Sequence, residues 1–125
     1  HMGDLVTSDD RIKSEETPIE NATATLLKII PKNYYKHPGY RVDEDDESPI
    51  PEKDASGNVI EKIWESGIIA QEMDEIPELL HLLNGYIDPI TGDDTLAINY
   101  VELIPFLIKS NQELHERIKE LENRI

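Results

Sequence analysis

Cysteine is absent from the 125-residue sequence, and aromatic residues make up only 6% of it. Without cysteine the chain forms neither disulfides nor thiolate zinc sites. Long hydrophobic runs are also missing, since no apolar stretch approaches the roughly 20 residues of a membrane-spanning helix. We expect no signal peptide at the start of the chain. These absences predict a protein without a membrane partner. They do not indicate whether it resides in an oxidising or a reducing compartment.

Basic residues are scarce, with 12 Lys and Arg against 27 Asp and Glu and a formal charge of −15. Nucleic-acid binding needs clustered basic side chains, and an anionic membrane surface repels an acidic chain. We therefore predict no nucleic acid among its partners. Hydrophobic residues, at 38%, are few for a globular domain. A core this thin is helped by oligomerisation, which buries apolar surface that one chain leaves exposed.

The first helix signal lies near the start of the chain. Thr17 and Glu20 have the spacing of a capping box, and Pro18 stands at the first helical position. Apolar residues then recur at helical spacing until Pro31, which cannot continue a helix. The sequence therefore predicts a helix that begins after Thr17 and ends before Pro31.

Short strands and helices follow in alternation, which makes the predicted fold class α+β. Strands are predicted at 33–37 and 59–70, helical segments around Pro77 over 71–83 with a stop at Asn84-Gly85, and a hairpin over 86–98 that turns at 91–94. Gly67 interrupts the second strand region, and glycine within a strand often marks the close approach of another backbone. We predict such an approach at Gly67.

The segment 43–54 holds seven carboxylates and one lysine, with prolines at positions 49 and 51. Such a run is typical of a solvated loop or hairpin tip. A calcium-binding loop would have glycine at its sixth position and glutamate at its twelfth, but Ser48 and Asp54 occupy them. We predict no metal site and no cofactor, and no histidine has a partner at metal-ligand or triad spacing.

The C-terminal segment carries the clearest periodicity in the chain. Apolar residues step by three and four without a break, as the a and d positions of a coiled coil do, and one position is the polar Asn111. The predicted seam consists of Ile104, Leu107, Asn111, Leu114, Ile118, Leu121 and Ile125. Arg117 and Glu122 stand at g and e positions, the spacing of an interchain ion pair.

Two structures are compatible with this stripe. The helix either associates with other copies or packs the same stripe against its own domain; the strict 3.5-residue period and the g–e pair favour association. Isoleucine at a with leucine at d does not select three strands, and alone it leans toward two. Leu103, Phe106 and Ile108 lie off the seam and are expected to contact the domain body, while Pro105 is expected near the helix start or at a bend.

Three blocks together resemble one known family. Residues 8–13 read S-D-D-R-I-K, residues 67–72 read G-I-I-A-Q-E and are followed by I-P-E-L at 76–79, and residues 100–105 read Y-V-E-L-I-P. Their order and spacing are similar to those of the endosialidase-type intramolecular chaperone. That domain stands at the C-termini of phage tail spikes, tail fibres and neck appendages, and related domains occur in other viral proteins and a membrane-tethered eukaryotic transcription factor.

The resemblance implies a homotrimer that helps an upstream β-rich part of its own polypeptide to fold and then cleaves itself off. Carried over to this sequence, the catalytic pair is Ser8 and Lys13, and the cut falls between Ser8 and Asp9. The resemblance further implies that these events occur in the host cytoplasm during virus assembly, and that the parent protein ends in the virion. The enzyme would be a single-turnover serine peptidase.

The chemistry of such a pair is demanding. A serine hydroxyl becomes a nucleophile when a base takes its proton, and a neutral lysine amine is one such base. Free lysine titrates near pH 10.4, so burial must favour its neutral form. Asp9 and Asp10 oppose this unless they are occupied, and Arg11 is a candidate to occupy them. A subunit interface would supply the burial and make cleavage wait for assembly.

The bond that breaks and the alternatives to cleavage stay open at this stage. For a cut after Ser8, its hydroxyl acts on its own carbonyl, on a neighbouring chain or on water; for a cut before Ser8, an N→O acyl shift suffices. The Ser8–Asp9 segment also suits a simple helix cap. Rival functions are a permanent trimerisation module that never cuts, and an acidic module that binds a basic partner.

The predicted organisation follows from these signals. We expect residues 1–2 to be a cloning scar, 3–8 the end of an upstream structural protein, 9–98 a chaperone body with an acidic loop at 43–58, and 99–125 the coiled-coil helix.

Overall fold

The computed structural model describes residues 5–36, 41–42, 49–50, 56–58, 62–87 and 94–124. The fold class is α+β, as predicted. The α-helices are α1 (Ala22–Leu26), α2 (Ala70–Met73) and α3 (Leu103–Glu122). The strands are β1 (Lys32–Lys36), β2 (Arg41–Val42), β3 (Pro49–Ile50), β4 (Ile63–Gly67), β5 (Leu83–Ile87) and β6 (Asp94–Ile98). Short 3₁₀ helices lie at Asp10–Ile12, Pro77–Leu82 and Tyr100–Glu102.

The strands form three antiparallel pairs in the described part of the chain: β1 with β4, β2 with β3, and β5 with β6. In the first pair Tyr35 lies opposite Trp64, and their ring centroids are 4.8 Å apart. The ammonium of Lys62 sits 4.1 Å above the Tyr35 ring. Aromatic cross-strand pairs of this kind stabilise an antiparallel ladder whose faces are largely exposed. The strand region predicted at 33–37 overlaps β1, which begins one residue earlier. The region predicted at 59–70 contains β4, but its last residue, Ala70, begins α2.

The acidic segment lies mostly outside the described residues. Within 43–58, only Pro49–Ile50 and residues 56–58 are described, and the pairing of β2 with β3 brackets residues 43–48. Three further predictions concern residues outside the described ranges. They are the calcium positions Ser48 and Asp54, the hairpin turn at 91–94 except for Asp94, and the seam residue Ile125.

The hydrophobic core is small and sits where the short helices meet the start of α3. It contains the completely buried Ala22, Met73, Leu79 and Leu82, together with Ile76, Leu103 and Phe106. Partly buried residues around it are Ile19, Leu26, Ile29, Ile68, Leu83 and Ile98. Among the described residues, more large hydrophobic side chains are exposed than buried. The composition predicted this thin core.

Helix α1 begins later than predicted. The helix expected from Thr17 onward starts only at Ala22, because Asn21 has a φ of 54° in the left-handed region and interrupts the right-handed backbone. Asn21 provides no side-chain cap. The first N–H groups of α1 are instead bound by Glu113 of α3, with Oε2 accepting from Ala22 at 3.1 Å and Oε1 accepting from Thr23 at 2.8 Å. The N-terminus of α1 is therefore capped by Glu113, which lies far away in the sequence, so no local sequence pattern indicates this cap.

The middle of the chain follows the prediction with one correction. Two short helical segments lie around Pro77, which opens the second of them. The stop predicted at Asn84-Gly85 is wrong, because both residues lie inside β5, opposite Ala97 and Leu96 of β6. The hairpin therefore begins three residues earlier than predicted, since pairing with β6 outweighs the turn preference of Asn-Gly.

Gly67 ends β4 in a crowded place. A β-carbon built there would lie 2.5 Å from Tyr34 Oη and 2.6 Å from Tyr100 Oη. The close approach predicted at this glycine exists, but it comes from two tyrosine hydroxyls. Tyr100 Oη also accepts a hydrogen bond from the Ile68 backbone N–H at 2.8 Å, which ties the start of the C-terminal helical segment to the end of β4.

Candidate functional site

A single 3₁₀ turn organises the segment from Ser8 to Lys13. Asp9 is its N-cap, and its carboxylate accepts a hydrogen bond from the Arg11 backbone N–H at 2.9 Å. The backbone N–H groups of Ile12 and Lys13 bind the carbonyls of Asp9 and Asp10, each at 3.1 Å. The turn folds the chain back on itself, so the side chain five residues after Ser8 returns to it.

The returning side chain is Lys13. Its Nζ donates a hydrogen bond to Ser8 Oγ at 2.6 Å. Both residues are exposed in the single chain, as is every residue from 5 to 18. Among the described residues, Lys13 Nζ forms no ion pair, although Asp9 and Asp10 are close in sequence. The Ser–Lys contact is therefore formed, but it lies in water.

The Asp9 carboxylate is fully engaged by Arg11. The guanidinium donates from Nε to Oδ1 at 3.1 Å and to Oδ2 at 3.3 Å, and from Nη2 to Oδ2 at 2.7 Å. These hydrogen bonds, led by that of the side chain, lower the pKa of Asp9 and raise that of Arg11. The suggestion that Arg11 occupies one of the carboxylates near Lys13 agrees with this geometry for Asp9.

Helix α3 presents two different faces. The face toward the domain carries Leu103 and Phe106, which are buried, and then Ser110 and Glu113, which hydrogen-bond to α1. The Oγ atoms of Ser110 and Thr23 are 2.8 Å apart. These residues lie at g and c positions of the heptad. The body of the domain is thus held by a stripe adjacent to the predicted seam.

The seam itself is open. Its described apolar residues are between 47% and 56% exposed: Ile104, Leu107, Leu114, Ile118 and Leu121. Asn111 is also exposed. Of the three residues expected to contact the body, Leu103 and Phe106 do, but Ile108 is 54% exposed, so that part of the prediction is wrong. Pro105 stands in the first turn of α3, as expected.

Ion pairs near the end of α3 lie within the helix. Arg117 pairs with Glu120 at 3.6 Å, and Lys119 with Glu116 at 3.7 Å. The interchain pair expected between Arg117 and Glu122 involves a second copy and stays a prediction. No described hydrogen bond or ion pair joins the Ser8–Lys13 turn to the seam, so the single chain does not bring the two predicted sites together.

Other classes of site find little support in the described residues. Within them, no cluster of three or more His, Asp or Glu side chains has the arrangement to hold a metal ion. No helix in that part of the chain combines the length and apolarity needed to cross a membrane.

Sequence reasoning missed the role of Glu113. The sequence analysis gave this residue no role, because nothing local points to the N-terminus of α1, 91 residues away. Its pKa is lowered, first by the hydrogen bond from the Thr23 backbone.

The model of a peptidase-class family described as chaperone of endosialidase matches residues 8–81. The match begins at Ser8 and contains the first two blocks of the resemblance, whereas the third block and the heptads lie beyond it. No curated protein matches the chain in sequence.

Proposed function

The chain belongs to the chaperone of endosialidase family, and on this premise we propose that it aligns three copies of an upstream polypeptide and then cuts itself free at the Ser8–Asp9 bond. The observation that carries the cleavage is the 2.6 Å contact between Lys13 Nζ and Ser8 Oγ, made at the first residues of the family match. The expected setting is the host cytoplasm during virus assembly, with the parent protein in the virion.

The exposed seam of α3 supports self-association. A helix that packs its heptad stripe on its own domain would bury it, but here the domain uses Leu103, Phe106 and Glu113 and leaves the stripe in water. Burying such a stripe against other copies supplies apolar contact that the small core lacks. Three strands rather than two follow from the family premise, since the seam residues alone do not select the number.

Assembly explains how such a domain acts as a chaperone. β-Rich trimers fold slowly, because distant segments must meet before their contacts return free energy. A C-terminal clamp raises the effective concentration of the upstream chains for one another and sets their register. Its removal after folding leaves no route by which the clamp can reverse assembly, so the product is kinetically stable.

The proposed reaction is a hydrolysis. A neutral Lys13 amine accepts the Ser8 hydroxyl proton, and the Ser8 oxygen either attacks the Ser8 carbonyl carbon of a neighbouring chain or takes a proton from the water that attacks this carbon. The bond between that carbon and the Asp9 nitrogen breaks, and the Lys13 ammonium gives its proton to the leaving amine. One water in total supplies the OH that ends on the carbonyl and the H that restores the Ser8 hydroxyl. The hydrogen bond must then run from Ser8 to Lys13, the reverse of its direction in the single chain. An attack by Ser8 on its own carbonyl would close a strained four-membered ring, which favours a neighbouring chain or an activated water as the partner.

Exposure of the pair implies that the free chain is not the active form. An ammonium group in water is well solvated, whereas burial disfavours the charged form. Covering the Ser8–Lys13 turn with neighbouring subunits or the folded upstream polypeptide would therefore activate it. Cleavage would follow assembly, and the released piece would be residues 9–125.

The test uses the parent polypeptide with its upstream part. Wild type should shorten on a denaturing gel, while Ser8→Ala and Lys13→Ala should stay full length; Ser14→Ala, a nearby exposed serine, is the matched control and should cleave normally. Mass spectrometry locates the bond, because a cut before Ser8 leaves one more serine on the released fragment. A wild-type band that never shortens would establish a permanent clamp instead.

Dependence on assembly needs its own measurement. Replacing Leu114 and Ile118 together by glutamate places charges on the seam, while Glu116→Gln alters an exposed residue at an f position, on the face of α3 away from the seam. Cleavage should stop in the double variant and persist in the control. Full-rate cleavage by a chain shown to be monomeric would exclude the requirement for assembly.

A further inference from the structure

The turn between Ser8 and Lys13 contains three further charges in a row. Asp9 and Asp10 are acidic and Arg11 is basic, and Glu15 and Glu16 follow shortly after Lys13. A carboxylate within about 4–6 Å of an amine favours its protonated form. A base that must lose its proton therefore has to be kept away from these groups. Of the described residues, however, only Ser8 makes a hydrogen bond or ion pair with the Lys13 amine.

Arg11 binds the carboxylate of Asp9, the acidic residue next to Ser8 in the sequence. Its guanidinium engages both oxygens of Asp9, at 2.7 to 3.3 Å, and its backbone N–H adds a fourth hydrogen bond. The planar fork of arginine suits a carboxylate, and it stays charged at every pH at which a lysine titrates. Nothing else in the described residues forms an ion pair with Asp9.

The same pair also shapes the turn. Asp9 is the N-cap of the 3₁₀ helix Asp10–Ile12, and this helix is what returns Lys13 to Ser8. Holding the Asp9 side chain against Arg11 therefore has two effects. It fixes the cap, and it directs the negative charge to a partner other than the amine.

We infer that Arg11 is a positioning residue for self-cleavage: it holds the Asp9 carboxylate beside the scissile bond and so reserves the Lys13 amine for Ser8. This inference rests on the proposed function, since it concerns the reactivity of the same pair. Arg11 acts through Asp9 and does not touch the reacting atoms. Without it, the Asp9 carboxylate, on the residue that carries the scissile nitrogen, is free to pair with Lys13.

The experiment is the pH dependence of the cleavage rate in the parent polypeptide. Arg11→Gln should move the rise of the rate to higher pH by about one unit, and so slow cleavage at neutral pH about tenfold. Combining it with Asp9→Asn should restore the wild-type midpoint, because asparagine keeps the cap but carries no charge. Lys28→Gln is the control: Lys28 is also an exposed cation paired with a carboxylate, that of Glu78 at 3.3 Å, but it lies outside the turn and the seam, so the midpoint should be unchanged.

The outcomes separate this inference from the function on which it rests. If Arg11→Gln slows cleavage equally at every pH, or if Asp9→Asn does not rescue it, Arg11 is only structural and the inference is overturned. An unchanged profile in Arg11→Gln with inactive Ser8→Ala and Lys13→Ala variants also overturns the inference alone. Normal cleavage by Ser8→Ala or Lys13→Ala overturns the proposed function itself. Arg11 is exposed, so its replacement leaves the fold intact, and circular dichroism of each variant checks this.

Discussion

The carboxylate of Glu113 accepts a hydrogen bond from the backbone N–H of Thr23 at 2.8 Å, so the long helix caps the short one. The first N–H groups of a helix have no partner within it, and a bound carboxylate also complements the helix dipole. This capping contact attaches α3 to the domain through a c position of the heptad. The described a and d positions remain exposed to solvent.

Removing Glu113 should weaken the domain in a pH-dependent way. Its pKa is lowered in the folded chain by the Thr23 and Ala22 contacts. A lowered pKa gives stability that is present above the unfolded value, near 4.3, and is lost as the pH falls through the folded one. Glu113→Ala should therefore lower the thermal midpoint at pH 7, and the difference from wild type should shrink toward pH 3.

The control for this change is Glu116→Ala, on the same helix but paired only with the exposed Lys119. Thermal unfolding followed by circular dichroism at pH 7, 5, 4 and 3 makes the comparison. Equal melting of the Glu113 and Glu116 variants at pH 7 would show that the capping contact adds nothing.

A second prediction concerns Gly67. An alanine β-carbon would meet the hydroxyls of Tyr34 and Tyr100 at 2.5 and 2.6 Å, so both must shift. Overpacking of this kind costs about 1–3 kcal/mol. Gly67→Ala should lower the free energy of unfolding by that amount in urea titrations. Adding Tyr34→Phe should recover part of it, because this removes the closer hydroxyl and keeps the hydrogen bond from Ile68 N–H to Tyr100 Oη.

Gly85→Ala is the matched control for that site. Gly85 lies in β5 with no atom within 4 Å of a built β-carbon. The substitution should be neutral or slightly stabilising, because alanine loses less backbone entropy on folding than glycine. An equally stable Gly67→Ala protein would mean that the tyrosine hydroxyls move aside freely.

The third prediction concerns Asn111, the polar residue at an a position of the seam. A buried asparagine there fixes register and strand number at a cost in stability. Asn111→Ile should raise the melting temperature of the assembled chain and broaden its distribution of oligomeric states. Thermal melting and sedimentation velocity measure both effects, and a variant with unchanged melting would show that position 111 faces solvent in the assembly.

The sequence predicted those features whose signals are local. The strand regions, the segments around Pro77 and the C-terminal helix follow from periodicity and proline, and the observed elements overlap the predicted ones. The start of α1 was predicted wrongly because Asn21 has a left-handed backbone conformation and Glu113, far away in the chain, caps the helix that follows. Asn84-Gly85 was predicted as a stop because its turn preference is local, whereas pairing with β6 is not.

For the candidate site, spacing alone was insufficient. A serine and a lysine five residues apart are common, and only the resemblance of the surrounding blocks singled out Ser8 and Lys13. Their hydrogen bond depends on the turn that Asp9 caps. The opposite charges of Asp9 and Arg11 suggested that these side chains pair, but the sequence did not determine the geometry of the pair. The burial that the proposed function requires has no local signal either, since every residue from 5 to 18 is exposed in the single chain.

The central claim, that the open stripe of α3 joins three copies, is tested most directly by sedimentation equilibrium of this chain at micromolar concentration. One chain weighs 14.3 kDa, so the account predicts a single species of about 43 kDa, lost when Leu114 and Ile118 are replaced by glutamate and retained in Glu116→Gln. A species of 14.3 kDa at that concentration would contradict it.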